Sequence, residues 1–366
     1  MNIYRYAAAG VSVVLATALL VGCSADEPVG PEITAGEGLV IEGEVIADTE
    51  LLQAAREEGS FVFYTGASEQ SETVLAEKFA EDTGVQVDLV RLPPNRLSER
   101  ILSEQGAGQL GADVIRTSGE DLTLAIAESG AFAPHDVPEG YVLPDGTKID
   151  DGAYYRSFDR VYTVVYNNQA VDEADAPKSW EDLLDDTWKG KLGITQVAAG
   201  GSTAALTRFQ LDELGEDYLR GYAAQEPRIF DSSGGVTDAL SRGEISAASL
   251  PIATAYGAQV EGAPITIVTP EEGAAAFSYY LGVAAGADSP NAAALFVNWS
   301  MSKAGQSASG QGGDYPVRED VPAPRAGDQE LPEVGSGFLF RYDAEETLDH
   351  VEADAALWRE IFGYTG

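Results

Sequence analysis

The sequence predicts an α/β protein of two lobes, each an open mixed sheet flanked by helices, joined by crossover strands. Three observations carry this expectation. Strand and helix signals alternate from Ser60 onward. A second such series follows within residues 164–273. Two longer strands, Arg160 to Tyr166 and Ala274 to Val283, frame that second series. A β-α-β-α-β order favours an open sheet with covering helices. A segment inserted between two crossing strands makes a second lobe, a hinge and a cleft that can close.

Each element has its own local reason. Phe61-Val62-Phe63-Tyr64 reads as a buried strand, and Thr65-Gly66-Ala67-Ser68 as a turn in which Ser68 caps the next helix. Leu75 and Phe79 share a helical face, and Gly84 stops that helix. Val85 to Val90 is the second strand. Asn95 to Gly106 is helical, with Leu97 and Ile101 one turn apart. Ala112 to Ile115 is the third strand, and Leu122, Ala125 and Ile126 mark the helix after it. In the second series Leu192-Gly193-Ile194 leads through a Gly-Ser turn to a helix containing Leu206 and Phe209. Arg228-Ile229-Phe230 leads to Ser232-Ser233-Gly234-Gly235 and a helix with Val236 and Leu240. Ser246 to Leu250 leads toward Tyr256. The expected division is 58–163 with 274–318 for the first lobe and 164–273 for the second. Residues 319–366 then form a helical segment packed mainly on the second lobe.

The chain has one cysteine, Cys23, which closes Leu20-Val21-Gly22-Cys23 after an apolar stretch from Ala7 to Val21. That stretch is short for a membrane span and ends in a small residue. The pattern resembles a bacterial lipoprotein signal. The resemblance implies removal of residues 1–22, lipidation of Cys23, and export to the outer face of the cytoplasmic membrane. A plain secretory signal with an incidental cysteine is the alternative. Residues 23–57, rich in Glu, Gly and Pro, read as a flexible acidic tether. A single cysteine allows no disulfide within the chain, so stability must come from buried cores.

The 60 acidic residues against 22 basic ones give a formal net charge of −38. Such a surface excludes general affinity for nucleic acid or anionic lipid. It reads as solvated acidity rather than as a sign of a cationic ligand. The two histidines, His135 and His350, lie in different regions, which argues against a histidine-rich metal site.

Tyr64-Thr65-Gly66, Phe79 through Thr83-Gly84-Val85-Gln86-Val87, and Ala112-Asp113-Val114 resemble the opening of bacterial solute-binding proteins of ABC importers. Pro177-Lys178-Ser179-Trp180-Glu181-Asp182-Leu183-Leu184, followed by Trp188-Lys189-Gly190-Lys191, resembles the entry to the second lobe in the ferric-iron-binding branch. Gly243-Glu244-Ile245 and Tyr315-Pro316 agree with it. The resemblance covers about residues 58–320. It implies a type II periplasmic-binding fold, and delivery of a captured solute to a permease with a cytoplasmic ATPase. A monomer without a cofactor is expected.

Candidate ligand contacts sit on loops at strand ends, where open α/β sheets bind ligands. In the first lobe these are Thr65, Gly66, Ser68 and Glu69, then Thr117 and Ser118. In the second they are Gly201, Ser202 and Thr203, then Ser232, Ser233 and Gly234. Backbone N–H groups and hydroxyls at such helix starts favour an anion, although Gly and Ser also serve ordinary turns. The resemblance implies that the last two loops bind a ligand anion or a synergistic one. Arg116 and Arg160 could grip such a group bidentately or form surface ion pairs. Tyr256, Tyr162 and Phe277 could pack against its body.

Iron is the cargo of well-known relatives, and the resemblance implies adjacent tyrosines after the Gly-Glu-Ile strand. Counted forward from Gly243-Glu244-Ile245, that pair falls on Ala253-Thr254; Tyr256 is nearby but single. The first-loop histidine of some relatives falls near Ser68. Tyr279-Tyr280 is a pair, but strand alternation sends its rings to opposite faces, so one at most lines a cleft; Tyr280 is the candidate. Glu69, Glu120 and Asp121 could supply carboxylates instead. Two cargoes therefore stay open: ferric iron, or a small anionic or zwitterionic organic such as a phosphonate or carboxylate.

Other classes are weighed against this. A glycoside hydrolase needs a carboxylate pair flanking a cleft, and no spacing singles one out; Gly-x-Ser-x-Gly and His-Glu-x-x-His are absent from the sequence. A lipid-anchored sensor for a signalling receptor would share the fold. For a binding protein no catalytic group is expected.

Overall fold

The computed structural model describes residues 32–34, 38–199, 201–342 and 344–365. The segment expected to serve as a signal, with Cys23, lies outside them.

After a short strand, Glu32–Thr34, that pairs antiparallel with it, comes a hairpin and then a helix: β1 (Gly38–Ile41), β2 (Glu44–Ala47) and α1 (Thr49–Glu58). Glu42 and Gly43 between the strands have φ of 50° and 78°, as a two-residue type I′ turn requires. Leu39 and Ile46 are fully buried. Residues 38–57 are therefore not the flexible tether that composition suggested. The apolar runs Leu39-Val40-Ile41 and Val45-Ile46-Ala47 outweigh the acidic and glycine residues around them. The Glu58 carboxylate then accepts from the backbone N–H groups of Asn291 (3.2 Å) and Ala292 (2.7 Å), which fixes this segment to a helix start far along the chain.

The first lobe follows the expected alternation: β3 (Ser60–Thr65), α2 (Glu69–Thr83), β4 (Gln86–Arg91), α3 (Pro94–Gly106), β5 (Val114–Ser118) and α4 (Glu120–Glu128). β3 pairs in parallel with β4 and β5. A long strand, β6 (Tyr154–Asn167), leads into the second lobe. There lie β7 (Leu192–Thr195), α5 (Gly201–Phe209), α6 (Glu216–Ala224), β8 (Arg228–Phe230), α7 (Ser233–Ser241), β9 (Ala247–Pro251) and α8 (Ile252–Val260). A second long strand, β10 (Ala274–Ala284), returns to the first lobe, which α9 (Pro290–Met301) and α10 (Lys303–Gln311) complete. The chain ends in α11 (Ala344–Phe362).

The strands of both lobes form one continuous path, β8-β7-β9-β6-β10-β5-β3-β4. β6 and β10 pair antiparallel along the middle, with a register shift between Tyr279 and Tyr280. β6 begins six residues before the expected Arg160. Arg156, Asp159 and Arg160 interrupt its apolar pattern, and distant partners make the burial of Asp159 and Arg160 tolerable. Asp159 accepts from Ser278 Oγ (2.7 Å) and from Arg341, while Arg160 pairs with Asp314. Apolar clusters cover both sheet faces in each lobe. The first-lobe core centres on Phe296, whose ring lies 4.9–5.1 Å from those of Phe61, Phe63 and Phe79.

The C-terminal segment is not wholly helical. Leu339–Phe340 adds a short parallel strand to β10. α11 then lies on α5 and α6 and also touches α4 of the first lobe. Among the described residues no helix is long and apolar enough to cross a membrane.

Candidate functional site between the lobes

The loop after β3 is locked from within. Thr65 is buried; its hydroxyl donates to Glu72 (3.0 Å) and accepts from the Ala67 N–H (3.1 Å). The same Glu72 carboxylate takes a 2.6 Å hydrogen bond from Arg116, and the Gly66 N–H donates to the Arg116 carbonyl at 2.9 Å. Thr65, Gly66 and Arg116 thus hold the loop in shape, and Arg116 has its carboxylate already. Ser68 stands at the N-cap of α2 without a side-chain cap bond, and Glu69 is exposed.

At the end of β5, Thr117 and Ser118 are buried, and the Thr117 hydroxyl has no hydrogen-bond partner among the described residues. Gly119, at φ 89°, turns the chain into α4. A Cβ at that position would come within 2.9 Å of Asp121 Oδ1, so the turn needs glycine. Tyr280 Oη donates to Glu120 at 2.6 Å. Burial pushes the Glu120 carboxyl above its ordinary range. Burial and the adjacent Glu120 together push the Tyr280 phenol up. Tyr280 itself sits in the first-lobe core with Leu97, Ile101 and Tyr154. Tyr279 points elsewhere, stacked on Phe158 at 4.7 Å.

In the second lobe two of the sequence-predicted loops converge. Ser233 Oγ lies 3.1 Å from the phenol of Tyr162 on β6. The Ser202 side chain lies near enough to help Ser233 lower the pKa of the same phenol, which burial raises above its ordinary value. Three hydroxyls thus meet where α5 and α7 begin. Gly201 opens α5. Thr203 donates to the Val197 carbonyl at 2.7 Å, which shapes the turn. Ser232 caps α7 by accepting from the Gly235 N–H at 3.2 Å, and Gly234 is exposed beside it.

Two hollows flank the line where the lobes meet. One, of about 560 Å³, is lined by Gly119, Glu120 and Asp121 of the first lobe, by Val197 and Ala205 of the second, and by Phe277 and Ser278 of β10. The other, of about 820 Å³, lies between α2, α8 and α10, and there Tyr256 is found. Between them, Ala67 packs with Phe158, Phe277 and Tyr279, and Ala205 packs against that cluster. Arg160 is buried, gives Asp314 two hydrogen bonds (2.9 and 2.8 Å), and lies over the Tyr279 ring. Burial works against its charge and the Asp314 carboxylate more than offsets this, so the guanidinium is held more firmly protonated. Its fork is spent on Asp314. Ala253 and Thr254 occupy the first turn of α8.

Thr65, Thr203 and Arg160 therefore serve the scaffold, Tyr256 belongs to the second hollow, and Ser202 with Ser233 share one point. Sequence reasoning missed Ser278 and the wall built by α11, because neither carries a local motif.

The sequence model of the bacterial extracellular solute-binding proteins matches residues 74–333. The chain belongs to that family. A probable ABC transporter periplasmic-binding protein of Sinorhizobium fredii is 24% identical over 233 residues, covering 60% of this chain. The chain spans 63% of that relative's length. A Salmonella typhimurium periplasmic protein assigned provisionally to 2-aminoethylphosphonate binding is 28% identical over 255 residues, covering 66% of this chain and 73% of the relative. Iron-bound HitA from Pseudomonas aeruginosa superposes with a TM-score of 0.64 at 23% identity, covering 82% of this chain and 99% of that one. At that identity the likeness shows the fold: a two-lobe periplasmic-binding architecture.

Proposed function

We propose that this chain captures a small phosphonate- or phosphate-bearing organic solute between its lobes and delivers it to an ABC permease driven by a cytoplasmic ATPase. The meeting of Ser202, Ser233 and Tyr162 hydroxyls at the starts of α5 and α7 carries the reading. Helix N-termini present N–H groups and positive potential to an anion, and hydroxyls add neutral donors. The name of the Salmonella relative points to the same chemistry.

Ferric iron is the weaker reading, although HitA binds it. A hard cation of that charge needs several anionic oxygens. Ala253 and Thr254 stand where a tyrosine pair would, Tyr280 is committed to Glu120, and Tyr279 is stacked on Phe158. Among the described residues no three His, Cys, Asp or Glu side chains are grouped to hold a metal.

In this reading binding stabilises the closed arrangement, because only there do both lobes touch the solute. No bond is broken and no cofactor takes part. The mature chain acts as a monomer, exported and held to the membrane by lipid at Cys23. Calorimetric titration of the mature chain with 2-aminoethylphosphonate, inorganic phosphate and ferric citrate tests the cargo. An organic phosphonate should bind, and Ser202→Ala with Ser233→Ala should weaken it about tenfold or more, with a separate small drop in the unfolding midpoint from the unpaired Tyr162 phenol. Tight ferric binding with no organic anion bound would refute the reading.

A further inference from the structure

The 560 Å³ hollow has one wall outside the family's matched segment. That segment ends at residue 333, whereas Val351, Glu352, Ala355 and Arg359 of α11 line the hollow. The helix is pinned to the second lobe. Trp358 is 1% exposed and stacks on Phe362 at 4.5 Å, Phe362 meets Tyr222 of α6, and Arg208 of α5 donates to Asp354 at 3.0 Å. α11 also packs on residues 197–199, just before α5, and touches α4 across the cleft. It therefore bridges both lobes over the hollow.

Charge is distributed unevenly around this space. Glu120 and Asp121 stand on the first-lobe side, and Glu352 stands on α11 itself, seven residues before Arg359. Arg359 stands at the second-lobe end, next to the anchored Trp358. Among the described residues its guanidinium makes no ion pair and no hydrogen bond, in a chain with 60 acidic residues. Apolar surface from Val197, Ala205, Phe277 and Ala355 lies between the two ends. The volume suits a small organic molecule.

We propose that α11 is a working wall of the ligand cavity, and that Arg359 binds the anionic group of a zwitterionic organic solute whose cationic group faces Glu120 and Asp121. This rests on the reading above of a small organic solute. Arg359 adds to the hollow a cation that the rest of its lining lacks. The apolar middle accommodates the spacer between the solute's charges. A guanidinium forms two parallel hydrogen bonds to a phosphonate or carboxylate, which a lysine cannot copy.

The test is titration of 2-aminoethylphosphonate into the mature chain and its Arg359→Gln, Arg359→Lys and Ala355→Trp variants. Arg359→Gln should lose about tenfold or more in affinity, with an unchanged unfolding midpoint because the side chain is exposed. Arg359→Lys should recover part of the loss. Ala355→Trp should weaken binding severalfold by occupying part of the hollow; if it unfolds, the Arg359 variants decide. Unchanged affinity in Arg359→Gln, alongside weakening in Ser202→Ala with Ser233→Ala, would overturn the role of α11 and leave the organic-solute reading standing. A wild-type chain that binds ferric citrate and no organic anion would overturn both.

Discussion

Asp314→Asn is the sharpest probe of how the lobes are joined. Arg160 and Asp314 have side chains 8% and 5% exposed and share two hydrogen bonds of 2.9 and 2.8 Å. Arg160 lies on β6, the strand that carries the chain between lobes. Removing one partner of a buried pair strands the other charge, which costs about 3–5 kcal/mol. Asparagine keeps one acceptor, so the lower end, about 3 kcal/mol, is expected. For roughly 330 residues unfolding together the entropy is about 0.7 kcal/mol/K, which converts this to a drop of about 4 °C. Urea titration and scanning calorimetry read both numbers. The double variant Arg160→Met with Asp314→Leu should recover most of the loss, since an apolar pair replaces buried charges at little cost. A single-variant loss under about 1 kcal/mol, or a double variant no better than the single, would refute the view that this pair is desolvated and mutually dependent.

Glu120 supplies a pH prediction. Burial raises its folded-state pKa above the unfolded value. Its contribution to stability is therefore complete below the unfolded pKa and is lost as pH rises through the folded one. Glu120→Gln should remove that loss, giving a higher midpoint than wild type at pH 8 and an equal one at pH 4; identical slopes in calorimetry would contradict it. Gly257 on α8 faces α2 so closely that a Cβ there would lie 3.0 Å from Gln70 Oε1. Gly257→Leu should hold the lobes apart, lowering ligand affinity several-fold without a matching loss in urea resistance. Trp358→Ala should cost about 3–5 kcal/mol by leaving a hole where α11 sits on the second lobe. Retained stability in urea would mean that α11 is not anchored there.

The α/β alternation was legible because each strand and helix between Phe61 and Ile126 carries its own periodicity and punctuation. The same holds from Leu192 to Leu250. The serine loops were legible as helix starts, but their convergence on Tyr162 was not, since that depends on how β6 passes beneath both. The β1–β2 hairpin was obscured by composition, although Ile41-Glu42-Gly43-Glu44 carries a turn signal between apolar runs. Arg160 looked like a ligand group because Asp314 lies far away in sequence. The α11 wall had no motif at all: an amphipathic helix can pack on many surfaces, and only tertiary structure decides which.

Strand alternation sends the rings of Tyr279 and Tyr280 to opposite faces of β10. Neighbouring rings on one strand report to opposite compartments. Tyr279 lies against Phe158 at the junction of the halves, and Tyr280 reaches back to the carboxylate of Glu120. The second phenol and its carboxylate belong to the same half, so their bond should ride through any swivel that tilts the first ring. Fluorescence of the first ring should therefore follow opening and shutting, while the second stays blind to it.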